Sequence, residues 1–94
     1  MLMLDEVKNY IRATDEDNEL VLSLMEAANS YMSGAIDDFD TVYPTSGRAW
    51  QAKANLAMKM LIADWYESRT PVGRPVGSAV TLLITQLQNG VNSQ

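Results

Sequence analysis

The chain has 94 residues, 47% hydrophobic and 20% charged, with twelve acidic against seven basic side chains and neither His nor Cys. Such a composition fits one ordinary globular domain, able to bury roughly 60–65% of its unfolded surface. It excludes disulfides, thiolate nucleophiles and imidazole chemistry, and a net charge of −5 argues against sequence-independent nucleic-acid binding, which draws on many Lys and Arg.

The opening Met1-Leu2-Met3-Leu4 turns acidic at Asp5-Glu6, so no secretion signal is expected and the protein should stay where it is made. Lys59 interrupts the most apolar stretch, Leu56 to Ala63, so no membrane span is expected either. The hydrophobic pattern is helical throughout and gives no usable strand signal. Asp5-Glu6 begin a first short helix at about residues 4–12, with Val7, Tyr10 and Ile11 on one side. Thr14 and Asp15, with Thr14-x-x-Asp17 resembling a capping box, introduce a second helix at about residues 16–36. Its apolar residues, from Leu20, Val21 and Leu24 to Met32, Ala35 and Ile36, fill an arc of roughly 180°.

The next stretch, Asp37 to Gly47, reads as a long acidic loop, too polar and interrupted for a regular element. Ser46 or Thr45 should cap a third helix that runs to about Ser68 and is roughly 30 Å long. This helix is apolar on two sides. Trp50, Ala54, Ala57, Met58, Leu61 and Trp65 form one face; Ala49, Ala52, Leu56, Met60 and Ala63 form another. Such a helix is either the buried centre of its own monomer or is covered on its second side by another subunit. Arg69 to Gly77, with two Pro and two Gly, breaks it. Ser78 should cap a last helix carrying Val80, Leu83, Ile84 and Leu87 at i, i+3, i+4 and i+7, ended by Asn89-Gly90. The expected fold is therefore all-α: a single-domain bundle of about four helices over residues 1–94, two of them long and antiparallel with shorter flanking helices.

Charge is divided along the chain. Residues 1–47 carry ten acidic and two basic side chains, a net of −8, and residues 48–94 carry two acidic and five basic ones, a net of +3. The halves can attract each other within one monomer, or the acidic side of one copy can meet the basic side of the next.

No constellation points to catalysis, a cofactor or a metal. Asp37, Asp38 and Asp40 are the densest carboxylates, but Phe39 stands where a calcium loop needs an oxygen ligand, and its Gly and distal Glu are missing. No pair of acids is singled out for glycoside chemistry. Gly47, Gly73 and Gly77 form no phosphate loop and read as turn glycines, and Arg48, Lys53 and Lys59 do not make one basic stripe. Trp50, Leu61 and Trp65 are expected as core anchors. Phe39, Val42 and Tyr43, set among Asp37, Asp38 and Asp40, are candidates for a partner contact or for packing against their own monomer.

Taken in order, Leu4-x-x-Val7-Lys8-x-Tyr10-Ile11-Arg12, the acidic entry Asp15-Glu16-Asp17-Asn18 leading to Ala27-Ala28-x-x-Tyr31, Leu61-Ile-Ala-Asp-Trp65-Tyr66-Glu67-Ser-Arg69, and Val80-x-x-Leu83-Ile-x-x-Leu87 form a pattern. It resembles the head-tail connector, or adaptor, proteins of tailed bacteriophages and prophages, also described as phage DNA-packaging proteins. The resemblance spans nearly the whole chain and departs from the family at Gly77-Ser78, where a Pro often stands before the equivalent of Ala79-Val80. It implies a structural protein without catalysis, assembling as a homo-oligomeric ring beneath the portal protein and extending the DNA channel. Tail-completion (stopper) proteins would dock on that ring, and double-stranded DNA would pass through without sequence-specific contacts. The implied location is the virion's head-tail interface, after assembly in the host bacterial cytoplasm. On that reading Ala49, Ala52, Leu56, Met60 and Ala63 are the candidate subunit interface and Asp37 to Tyr43 the candidate partner loop. The competing reading is a small helical protein-interaction or regulatory module without catalytic activity.

Overall fold

The computed structural model describes residues 2–68 and 77–92. It contains α1 (Leu4–Ile11), a 3-10 turn (Asp15–Asp17), α2 (Asn18–Ala35), α3 (Phe39–Thr45), α4 (Arg48–Ser68) and α5 (Ser78–Asn92). The all-α class holds, with five α-helices among the described residues instead of about four. The expected frame of two long helices is met in part: α2 and α4 are the longest and pack together, but α4 packs as extensively on α5 and also touches α1 and α3. The bundle is built around α4. The break expected at Arg69–Gly77 lies, apart from Gly77, outside the described residues.

The α1 helix buries Val7 and Ile11 while Tyr10 remains 45% exposed. It ends at Arg12, whose left-handed backbone (φ 57°, ψ 40°) turns its N–H onto the Lys8 carbonyl. The Ala13 N–H reaches the same carbonyl at 3.0 Å. This αL termination satisfies the carbonyls of a last turn, though a non-Gly residue there is strained. Thr14 begins the 3-10 turn without a side-chain cap bond, so the cap-like sequence marks the boundary without making the expected reciprocal hydrogen bonds. On α2, Val21, Leu24, Ala28 and Met32 are buried, followed by Ile36 just beyond the helix, whereas Ala35, also placed on the apolar arc, is exposed.

The expected loop at Asp37–Gly47 is instead the short helix α3, entered through Asp38 in the left-handed region (φ 57°, ψ 28°). Pro44 lies in its last turn and offers no N–H there. One residue beyond the helix, the Ser46 N–H and Oγ both donate to the Val42 carbonyl at 2.9 and 2.7 Å. Ser46 therefore closes α3, and Gly47, whose carbonyl accepts from the Gln51 N–H at 3.1 Å, stands at the start of α4. Similarly, Gly77 offers its carbonyl to the Thr81 N–H at the start of α5, a position expected for Ser78. The last helix also passes through Asn89-Gly90 and runs to Asn92.

The core joins residues from all five helices, among them Val7, Met32, Phe39, Ile62, Trp65 and Leu87. The shortest extent of the molecule, 17 Å, accommodates about two helix layers, so its own chain has little depth with which to wrap α4 on every side. Of the described helices, none is long and apolar enough to cross a membrane.

Candidate functional site

The two apolar faces of α4 have different surroundings. Ala54, Ala57, Met58, Leu61 and Trp65 are buried, and Trp50 is partly buried. On the second stripe Ala49 and Ala52 are exposed and Leu56 is 39% exposed, while Met60 and Ala63 are partly buried against the core. Arg48 and Lys53 are exposed as well, and at about 100° per residue they flank this stripe on opposite edges. Its N-terminal part is therefore an open, apolar surface with a basic rim.

Lys59 behaves differently from its neighbours. Its Nζ lies 3.1 Å from Glu6 Oε2 and 5.4 Å from the centre of the Tyr10 ring, so one ammonium holds two successive turns of α1 against α4. This ion pair also links the acidic and basic halves of the chain inside one monomer. Lys8 pairs with Asp15, holding that exposed carboxyl below its usual range through a hydrogen bond and the lysine charge.

The acidic segment is divided by its helical geometry. Phe39 is 2% exposed and belongs to the core, so its place is within the monomer and not on a free loop. Asp37, Asp38 and Asp40 are exposed, and Val42 and Tyr43 are partly buried. Phe39 stacks on Tyr43 with ring centres 5.2 Å apart, and the two lie 6.0 and 6.5 Å from the Trp50 ring. The clue in the sequence was the i, i+3, i+4 spacing of Phe39, Val42 and Tyr43, which the surrounding acids and Pro44 masked. Tyr43 donates from its hydroxyl to Asn55 Oδ1, and Gln51 donates to the Tyr43 carbonyl at 2.8 Å, fixing α3 on α4. Burial, and next the Glu6 charge, push the Tyr43 phenol above its ordinary pKa, against the opposing effect of the Asn55 hydrogen bond.

Further contacts position the last helix. The Asp37 N–H donates to Gln88 Oε1 at 2.8 Å, and Gln88 Nε2 donates back to the Asp37 carboxylate at 3.3 Å. Trp50 Nε1 donates to the Leu87 carbonyl at 3.1 Å. A Cβ on Gly90 would stand 3.2 Å from two atoms of the same indole, which is why a glycine suits the middle of this helical turn. Gln88, Gly90 and the fully buried Ile62 were not singled out by periodicity, because their roles are set by another helix.

Beside α2 lies an open groove of about 770 Å³, bounded by Leu2, Leu22, Met25, Tyr43 and Met58 among others. A smaller one, about 440 Å³, lies by Phe39, Asp40, Pro44 and Gln51. Among the described residues no group of three or more acidic side chains is placed to hold a metal ion.

Tyr66 near the end of α4 donates to Asp17 Oδ2 at the entry to α2, so two sequence segments far apart in the chain meet in space. They are the acidic entry and the Trp-Tyr-Glu run on which the resemblance chiefly rests. The family model described as phage gp6-like head-tail connector protein matches residues 1–92. No curated protein and no solved structure matches the chain.

Proposed function

Because the chain belongs to the phage gp6-like head-tail connector family, we propose that it is a structural virion component that forms a ring beneath the portal, continues the DNA channel and joins head to tail. The family match over residues 1–92 carries this reading. In support, the exposed Ala49, Ala52 and Leu56 leave part of the central helix uncovered, as a subunit that completes its packing in an assembly would. The stripe that continues through Met60 and Ala63 is the proposed subunit interface.

Double-stranded DNA passes through the ring without base readout. Net negative charge limits the phosphate contacts that would hold it in place. The exposed Asp37, Asp38 and Asp40, with the neighbouring Val42 and Tyr43, present a surface for the portal or a tail-completion protein. Assembly takes place in the bacterial cytoplasm and the product resides at the head-tail interface of the virion. The test is electron microscopy of the purified protein alone and mixed with portal rings from the same phage. Rings, or an added annular layer on the portal, are expected; a protein that remains monomeric and leaves the portal bare overturns the reading.

A further inference from the structure

The exposed α4 stripe needs a receiving surface, and two independent features single one out. The first is placement. Met58 forms part of the α2 groove, and on α4 it stands about 160° around the axis from Leu56. Groove and stripe therefore face away from each other across the central helix. Surfaces so disposed cannot meet within a monomer, but they meet naturally in a head-to-tail series of copies, which closes into a ring when the rotation permits.

The second feature is charge. The α2 sequence contains no Lys or Arg, and its outward face presents the exposed Glu19 and Glu26 next to the exposed Leu22 at the groove. The outward stripe of α4 has Arg48 and Lys53 at its rim. Among the described residues none of these four charges is held in an ion pair. Apolar centres are thus bordered by unlike charges on two opposite surfaces of the same chain, as a self-complementary heterologous contact requires.

We propose that the α2 groove of one copy receives the α4 stripe of the next copy, with Ala49, Ala52 and Leu56 of the next copy covering Leu22 and Met25. Arg48 and Lys53 of the next copy then face Glu19 and Glu26. This pairing rests on the ring reading above and assigns its two contacting surfaces. A stripe packing on its own equivalent would bring two basic rims together, and that like-charge contact disfavours a two-fold arrangement.

The native chain has no cysteine, which makes disulfide mapping direct. Ala52→Cys and Ser23→Cys are placed at exposed positions of stripe and groove, one variant each. Oxidation of their mixture is expected to give a crossed dimer, and the double variant a ladder of higher oligomers. A disulfide formed readily by Ala52→Cys alone would show the stripe packing on itself and overturn the pairing. Charge exchange gives a second readout: Lys53→Glu or Glu26→Lys alone should weaken self-association at least about tenfold, and an equimolar mixture of the two should recover it. Recovery supports the pairing; a mixture as weak as its components refutes it. Wild-type protein that never assembles, alone or on portal rings, overturns the ring reading and the pairing together, whereas wild-type assembly without the crossed disulfide or the charge rescue overturns the pairing alone.

Discussion

Both sides of α4 carry Ala, Leu and Met, yet Leu61 is 2% exposed and Leu56, five residues earlier, is 39% exposed. What separates them is what lies opposite. Toward Leu61 and Trp65 the chain supplies neighbouring helices; toward Ala49, Ala52 and Leu56 it supplies solvent. An apolar stripe therefore marks a surface that something covers, and only the arrangement of neighbouring helices tells whether the covering is internal.

Substitutions on the two sides should separate folding from assembly. The largest effect is expected for Trp65→Ala, because the side chain is 3% exposed and truncation of a buried large aromatic costs about 3–5 kcal/mol. Urea melts check this, and a loss below about 1 kcal/mol would transfer Trp65 from the core to the surface. Leu56→Glu should do the opposite: monomer stability stays within about 1 kcal/mol of wild type, since the position is already open to water, while self-association in light scattering falls sharply. Unfolding of that variant would make the stripe part of the core.

Gly90→Ala tests how closely α5 is held. In an exposed helix interior this change stabilises by about 1 kcal/mol, but here the added methyl crowds the Trp50 indole, which is already tied to the Leu87 carbonyl. No gain, or a loss of up to about 1 kcal/mol in thermal melts, is expected; a full gain would show that the indole yields freely. The smallest effect concerns Tyr43, which holds α3 on α4 beside Trp50 and Asn55. Its phenol is raised in the folded state, so the unfolded chain ionises first. The corresponding stability is fully present below the unfolded value near 10 and is lost as pH rises from there through the folded value. Tyr43→Phe should flatten this alkaline decline in melts taken across that range, and an unchanged slope would mean that another group causes it.

Most helix positions were legible because they follow from local periodicity: Val21, Leu24, Ala28 and Met32 recur at helical spacing and are buried, as are Val80 and Leu87 at the two ends of the α5 stripe. Boundaries were less legible. Ser46 looked like the cap of α4, but its hydroxyl turns back to the Val42 carbonyl, a choice made once α3 exists. And α3 exists because Phe39 and Tyr43 find Trp50, eleven and seven residues further along, against which a seven-residue helix containing Pro44 can be held.

The sequence by itself determined the all-helical class, the separation of charge along the chain, the absence of thiol and imidazole chemistry, and a family pattern strong enough to suggest a connector. These are properties of composition and of order along a line, available before any contact forms. Only the tertiary structure decided that Phe39 belongs to the core, that Gly90 makes room for an indole, and which of the two α4 faces remains open. Those outcomes depend on where the α1, α2, α3 and α5 helices lie around α4, and burial is a property of that arrangement, since a stripe of Ala and Leu has the same periodicity whether protein or water stands opposite it.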